Sequence, residues 1–168
     1  MTKRTRGFEE VSDKHKEHGK TIIAHGKEIT IYPDVQLPAR ADVGSAEYDF
    51  YSPVDMLLLP AQKTIIPTNV KAYMLDDEVL ELYPRSSMGI KKGLMLSNTV
   101  GIIDSSYYNN ESNEGNIGLP LLNTSGRAIE IKKGDRLCQG IFKKYLVADE
   151  ETVLKDKRTG GTGSSDEQ

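Results

Sequence analysis

Short strand-like runs recur along most of the chain, starting near residue 21. Proline, glycine and asparagine separate these runs, and no segment shows the 3.6-residue period of an amphipathic helix. The clearest runs are residues 21–23, 28–31, 63–66, 79–82, 118–122 and 128–131. Many short strands punctuated by turns predict an all-β sandwich or barrel.

The two ends of the chain differ from this middle part. Residues 1–20 are mostly polar, and we expect an N-terminal extension that is either a short helix or disordered. Residues 155–168 combine glycine, serine and charged residues, a composition typical of a flexible arm. The 168-residue chain shows no internal repeat, so residues 21–154 are expected to form one β domain.

Composition and charge argue against several functional classes. A net charge of −3 and a pI of about 5.7 argue against non-specific binding to nucleic acid. The longest apolar run, residues 56–59, is too short to cross a membrane. Cys138 is the only cysteine, and no apolar run of the signal-peptide type follows the basic start. A reducing, cytoplasmic location is therefore expected.

Histidine is confined to the N-terminal part of the chain, at His15, His18 and His25. A His–Cys metal cluster is therefore not expected in the body of the chain. Cys138 lies in an alternating run and is expected to be a small buried apolar group. Any chemistry in the body must use carboxylates, hydroxyls, arginines and backbone groups.

Residues 84–89 have the composition of a phosphate-binding loop. Arg85 can make forked hydrogen bonds to phosphate oxygens, and Ser86 and Ser87 add hydroxyl donors. A loop at this place would also turn backbone N–H groups toward an anion. Taken alone, the same residues are more often an ordinary polar turn.

Residues 98–107 predict two strands with a bend near Thr99 and Gly101, a hairpin whose backbone can pair with the edge of a base. Asp104 stands where the apolar run ends, so its carboxylate can reach the rim of a site and activate water against a phosphate. Tyr107 can pack on a sugar ring. The alternative is a solvated turn acid and a half-buried tyrosine.

Two further segments can add phosphate ligands. A strand is expected to follow the turn at Gly134, and in it Gln139 can offer its amide N–H to phosphate. Asp135 and Arg136 can form a structural ion pair there. Residues 158–165 join an arginine to a glycine-rich backbone that can approach phosphate closely. An ordinary turn and a disordered tail are the alternatives.

In order and spacing these segments resemble the trimeric deoxyuridine triphosphatase (dUTPase) family over about residues 37–165. The continuation of the third segment to residue 117 looks like that of Gram-positive bacterial and phage members. The resemblance implies a β-jelly-roll homotrimer, in which a swapped C-terminal arm closes a site built by the other two chains. The matching segments are residues 45–50, 84–89, 98–107, 134–139 and 158–165.

The reaction implied by the resemblance is hydrolysis of dUTP to dUMP and pyrophosphate. Mg²⁺ would be held by the substrate's phosphates, and Asp104 would be the base that activates the attacking water. Asp49 would position nearby water and the closing arm. The implied phosphate ligands are Arg85, Ser86, Ser87, Gln139, Arg158, Gly161, Ser164 and Ser165. The implied base and sugar ligands are Asn98, Gly101, Ile103 and Tyr107.

Two residues depart from the family pattern. Glu47 stands where the first segment usually has glycine, and it would be strained if that position needs a positive φ. Thr162 stands where the last segment usually has an aromatic residue that stacks on the base, an interaction of about 1–3 kcal/mol. We therefore expect a lid that closes less firmly, with weaker binding or slower turnover.

Two alternative functions belong to other classes. The related dCTP deaminases also carry an Arg-Ser-Ser segment, but residues 118–120 lack the catalytic glutamate that they need after the hairpin. Some phage members act as regulators that bind a repressor protein. Because this chain has the additional N-terminal residues 1–30 and an altered lid, a regulatory protein partner remains an alternative for it.

Overall fold

The computed structural model describes residues 4–153, and the regular secondary structure of this part of the chain is almost entirely strands. The strands are β1 (Gly7–Glu10), β2 (Lys20–Ala24), β3 (Lys27–Ile31), β4 (Ala39–Arg40), β5 (Tyr48–Tyr51), β6 (Met56–Leu58), β7 (Lys63–Pro67), β8 (Val70–Tyr73), β9 (Glu78–Pro84), β10 (Leu94–Leu96), β11 (Gly101–Asp104), β12 (Gly118–Asn123), β13 (Ile129–Ile131) and β14 (Arg136–Lys144). The helical segments are Asp13–His15, Ser87–Lys92 and Ser105–Tyr107. The all-β prediction is confirmed, and no helix in residues 4–153 is long and apolar enough to span a membrane.

Two antiparallel sheets position the candidate site. The larger sheet has the strand order β11-β9-β14-β5-β4, and the smaller has the order β10-β12-β7. The pairs β1-β8, β13-β6 and β2-β3 complete the arrangement. Each run predicted from the sequence overlaps a strand, namely β2, β3, β7, β9, β12 or β13.

Alternation along the strands creates one apolar core between the sheets. On β9, Leu80 and Leu82 are fully buried, whereas Glu81 and Tyr83 point to the other face and are partly exposed. Several strands of both sheets contribute to the same cluster in this way. Its other fully buried members include Phe50, Leu58, Ile66, Leu94, Leu119, Leu121 and Ile131.

The N-terminal segment differs from the short helix or disorder expected for residues 1–20. Residues 7–10 form β1, which pairs with β8 along its whole length, and the helical part is limited to the 3-10 turn Asp13–His15. The ring of Phe8 packs against three aromatic rings at centroid distances of 5.2 to 5.5 Å, those of Tyr48, Phe50 and Phe142. This aromatic packing outweighs the polar composition of the segment.

Candidate functional site

A buried carboxylate lies among the residues predicted to bind phosphate. Asp49 on β5 is paired with Gln139 on β14, and Gln139 is paired with Tyr83 on β9. The Asp49 carboxylate lies 2.9 Å from Nε of Arg85 and 3.2 Å from Nη1 of Arg136. Asp49 is only 5% exposed, so these two cations compensate a charge that would otherwise be costly to bury. One carboxylate thus fixes Arg85 close to Gln139.

The contact between Asp49 and Arg136 corrects one expectation. Arg136 does not pair with its neighbour Asp135, whose carboxylate instead accepts a hydrogen bond from the backbone N–H of Lys132 at 3.0 Å. The sequence separates Asp49 and Arg136 by 87 positions. The one available signal was an acidic residue inside an otherwise aromatic strand, which indicates a buried charge with a distant partner.

The predicted phosphate loop is the junction between β9 and the π-helical segment Ser87–Lys92. The backbone N–H groups of Met88 and Gly89 both donate to the carbonyl oxygen of Arg85 at 3.0 Å. Gly93, with φ of 70°, ends the segment in the left-handed conformation. Ser86 and Ser87 are exposed at its start, so two hydroxyls lie beside Arg85.

The predicted hairpin at residues 98–107 is wrong in its pairing. β10 pairs with β12 and β11 pairs with β9, so the two strands belong to different sheets and residues 97–100 form the corner between them. Asn98 is exposed at this corner. Thr99 has φ of 66°, a strained value for a β-branched residue, and its N–H donates to the Leu96 carbonyl at 3.1 Å.

β11 is the edge strand of its sheet, so one side of its backbone faces away from the ladder. Such an edge can read a base or pair with a second chain. The side chains here serve packing instead: a Cβ on Gly101 would lie 3.1 Å from Cβ of Leu82, and Ile103 packs against the core. Any contribution of Gly101 and Ile103 to base binding must therefore come from their backbone.

Asp104 and Tyr107 lie at the end of β11, one on the surface and one inside. Asp104 is the last residue of the strand and is exposed. Tyr107 is only 6% exposed; its hydroxyl donates to the Asn116 carbonyl at 3.1 Å and accepts from Nδ2 of Asn113 at 2.7 Å. Little ring surface is left, and packing of Tyr107 on a sugar stays a prediction for that surface.

Within one chain the candidate base lies far from the phosphate loop. Asp104 is paired with Val79, near the start of β9, whereas Arg85 follows the end of the same strand. The extended chain from residue 79 to residue 85 spans about 20 Å. One chain therefore does not bring Asp104 and Arg85 to the same phosphate.

Two other expectations concern single residues. Cys138 is fully buried, and burial, with a smaller contribution from the charge of Asp49, raises the pKa of its thiol. It is the apolar core residue that was predicted. Glu47 is not among the described residues with a positive φ, so its backbone does not have the strain that such a conformation would cause.

Two further predictions concern metal ligands, none of which was expected among the side chains, and the phosphate ligands of the C-terminal arm. Within residues 4–153, no cluster of three His, Cys, Asp or Glu side chains is arranged to hold a metal ion. The one carboxylate beside Arg85, that of Asp49, is occupied by two arginines, and the nearby exposed groups are serine hydroxyls, which suit phosphate oxygens rather than Mg²⁺. The last predicted segment lies outside the described residues: Arg158, Gly161, Thr162, Ser164 and Ser165.

A family model described as dUTPase matches residues 34–166. The deoxyuridine 5'-triphosphate nucleotidohydrolase of Lactococcus lactis subsp. lactis is 44% identical over 132 residues, which are 78% of this chain and 88% of that protein. The protein of the same name from Finegoldia magna is 36% identical over 133 residues, 76% of this chain and 89% of its own length.

Solved structures of dUTPases also match this chain. The crystal structure of dUTPase from Streptococcus mutans superposes with a TM-score of 0.71 at 36% identity, covering 86% of this chain and 99% of that one. The dUTPase from phage phi11 of S. aureus superposes with a TM-score of 0.65 at 20% identity, covering 90% and 97%, a likeness of fold. A mutant of the same phage protein is described with a structural Mg(II) ion. The predicted jelly-roll architecture is confirmed.

Proposed function

This chain belongs to the dUTPase family, and from that premise we propose that it hydrolyses dUTP to dUMP and pyrophosphate in the cytoplasm. The observation that carries the proposal is the buried carboxylate of Asp49, which holds Arg85 close to Gln139 and to two exposed serine hydroxyls. An arginine that is oriented by a buried carboxylate and lies next to neutral hydroxyl and amide donors fits a phosphate chain. The reaction would keep uracil out of DNA and supply dUMP.

Asp104 is the proposed base. Its carboxylate would orient a water molecule, take one of its protons and direct the oxygen onto the α-phosphorus. The bond from that phosphorus to the bridging oxygen would break, and the electron pair would leave with pyrophosphate. Arg85, Ser86, Ser87 and Gln139 would bind the phosphates, and bound Mg²⁺, held by the phosphate oxygens, would neutralise further charge.

A homotrimer would complete the site. The separation of about 20 Å along β9 supports a site in which one protomer supplies Asp104 and a second supplies Arg85. The edge of β11 and the exposed Asp104 face outward from the chain, as a shared site requires. In this proposal a third protomer closes the site with its C-terminal arm, through Arg158, Gly161, Ser164 and Ser165.

Substrate choice would depend on the corner at residues 97–100 and on the edge of β11. Asn98 and the backbone of Gly101 and Ile103 would pair with uracil and leave the reversed donors of cytosine unmatched. Tyr107, held inside the fold, would form a wall that leaves no room for a 2′-hydroxyl. Discrimination against UTP would then depend on how firmly Tyr107 is held.

Pyrophosphate release from dUTP, dCTP, dTTP and UTP, with and without Mg²⁺, tests the function. Release from dUTP should dominate, and Asp104→Asn should lower kcat about 1,000-fold, near the middle of the range for a positioned base. Asp76→Asn is the control, because Asp76 is an exposed acid in the turn before β9. Activity that survives in Asp104→Asn would overturn the role of the base, and ammonia release from dCTP would indicate a deaminase instead.

A regulatory protein partner is the second candidate function, favoured by the hairpin of β2 and β3. This hairpin precedes the family match, which begins at residue 34. Ile22, Ile29 and Ile31 share one of its faces and are exposed by 43 to 54%. A contiguous exposed apolar face of this kind marks an interaction surface. Pull-down with and without a non-hydrolysable dUTP analogue tests whether a partner binds and whether nucleotide controls it.

A further inference from the structure

The loop after Asp104 depends on polar contacts for its shape. This polar loop, residues 108–116, includes three residues with positive φ, Asn109, Glu114 and Gly115. A Cβ on Gly115 would lie 2.7 Å from the carbonyl oxygen of Tyr107, so the loop wraps closely around that tyrosine. Because few apolar side chains anchor it, its position depends on hydrogen bonds within the loop and from other segments.

A segment of the N-terminal extension supplies several of those bonds. We call residues 9–17 the strap. The backbone N–H of Ser12 donates to the Glu114 carboxylate at 2.9 Å, and the Ser12 hydroxyl donates at 2.5 Å. Nδ2 of Asn116 donates to the His15 carbonyl at 3.0 Å, and the Tyr108 hydroxyl donates to Glu9. The strap therefore contacts both ends of the polar loop.

Lys71 on β8 connects the strap and the polar loop to the sheet. Its Nζ donates to the other oxygen of Glu114 and, at 2.7 Å, to Oδ1 of Asn109. The Lys71 side chain is 9% exposed and that of Glu114 is 20% exposed. This ion pair is nearly buried, so loss of either partner leaves the charge of the other poorly compensated.

The bonds that hold Tyr107 come from the same loop. Asn113 donates to the Tyr107 hydroxyl, and the hydroxyl donates to the Asn116 carbonyl. Asn116 in turn is fixed by the strap through His15 and by Oδ1, which accepts from the Asn69 backbone N–H at 2.9 Å. A continuous set of contacts therefore leads from the strap to the ring of Tyr107.

We propose that Lys71, Glu114 and Ser12 are positioning residues for catalysis. They hold the polar loop, and through it Tyr107, in the position in which Tyr107 excludes a 2′-hydroxyl on the sugar of the substrate. This inference rests on the proposed function. The strap lies outside residues 34–166, the part that matches the family model. An N-terminal addition thus sets the sugar discrimination of the site.

The test compares Glu114→Gln with Glu78→Gln. Glu78 makes an equally well-formed ion pair between the N-terminal segment and the sheet, with Arg6 at 2.5 Å, but none of its bonds reaches the polar loop. Measured well below the melting temperature, Glu114→Gln should lower the ratio of kcat/KM for dUTP to that for UTP about tenfold, as small displacements of positioning groups do. Glu78→Gln should leave that ratio unchanged.

A structural role alone would reduce the active fraction and lower both rates equally. An unchanged ratio in Glu114→Gln would therefore overturn the proposal. Ser12→Ala, which removes one donor only, gives the same test if Glu114→Gln does not fold. Amide hydrogen exchange of residues 108–116 is the second readout, and it should accelerate in Glu114→Gln and not in Glu78→Gln. If the wild type releases no pyrophosphate from dUTP, the proposed function fails. If hydrogen exchange of residues 108–116 is unaltered in Glu114→Gln, the proposal that the strap holds the polar loop is refuted.

Discussion

The cluster around Asp49 and the polar loop of residues 108–116 fix their functional side chains in different ways. Asp49 lies inside a five-stranded sheet, where ladder bonds to strands on both sides set its place. The polar loop is held by single side chains, Glu114 above all. A ladder restrains the backbone through many bonds, so we expect the phosphate end to tolerate most changes other than loss of the Asp49 carboxylate itself. The sugar end should lose its geometry one contact at a time.

Replacement of Asp49 should have the largest effect, since it removes the one charge on which the phosphate end depends. Asp49→Asn keeps the shape but leaves Arg85 and Arg136 without the anion between them. We expect kcat/KM for dUTP to fall about 100-fold, because Arg85 loses the partner that orients it. Steady-state pyrophosphate release measures this loss.

The control is Glu81→Gln in the same sheet. Glu81 on β9 pairs with Lys143 on β14 at 2.6 Å, but this pair is more exposed and contacts no predicted ligand. Its loss should change kcat/KM less than about threefold, as for ordinary surface pairs. Equal losses in the two variants would show that Asp49 acts through general charge and not by holding Arg85.

A second prediction concerns the close wrapping of the polar loop around Tyr107. Gly115 and Gly134 have nearly the same φ, 84° and 86°, but a Cβ on Gly115 meets the Tyr107 carbonyl at 2.7 Å and a Cβ on Gly134 meets nothing. Gly134→Ala should lower the free energy of unfolding by about 1 kcal/mol, the cost of the left-handed backbone alone. Gly115→Ala should cost about 3 kcal/mol, because a steric clash is added.

Urea unfolding at one fixed protein concentration measures both costs, since association would make stability depend on concentration. Equal costs for the two variants would mean that the polar loop can move away from Tyr107 without penalty. That result would weaken the picture of a loop held in one place.

The strands could be predicted from the sequence because their signal is local. Runs such as residues 63–66 and 118–122 alternate or are rich in β-branched and apolar residues, and each formed a strand. The pairing of β10 and β11 could not be predicted, because their short apolar runs do not specify which strand each contacts. β1 was missed since its strand depends on the packing of Phe8 against distant rings.

The same holds for the site: residues in recognisable segments could be predicted, but contacts between segments that are distant in the sequence could not. Arg85 and Asp104 could be predicted as site residues because their segments have recognisable chemistry and order. The partner of Asp49, Arg136, and the partner of Glu114, Lys71, were not found, because each pair joins strands or loops that only the fold brings together. An ion pair across 43 residues leaves no trace in composition or spacing.

A third prediction uses the pH dependence of the contact between Glu114 and the strap. Burial opposes the charge of Glu114, but hydrogen bonds from Lys71 and Ser12 outweigh it and lower the pKa from 4.5 to about 2. Above about pH 5 the carboxylate is charged in the folded and unfolded chain, and its contacts stabilise the fold by about 2 kcal/mol, as expected for charge-assisted bonds. As the pH falls from about 4.5 to about 2, the unfolded chain binds the proton first and this stabilisation is lost.

Urea unfolding of the wild type and of Glu114→Gln, compared at each pH, isolates this contribution because the amide does not titrate. The difference in unfolding free energy should stay near 2 kcal/mol from pH 7 to pH 5 and shrink steadily below that. Glu111→Gln, at an exposed carboxylate in the same loop, should differ from the wild type by less than about 0.5 kcal/mol at every pH. If the difference in unfolding free energy between the wild type and Glu114→Gln stays constant down to pH 3, the ion pair with Lys71 does not hold the loop. The polar loop would then differ from the sheet around Asp49 only in its backbone geometry.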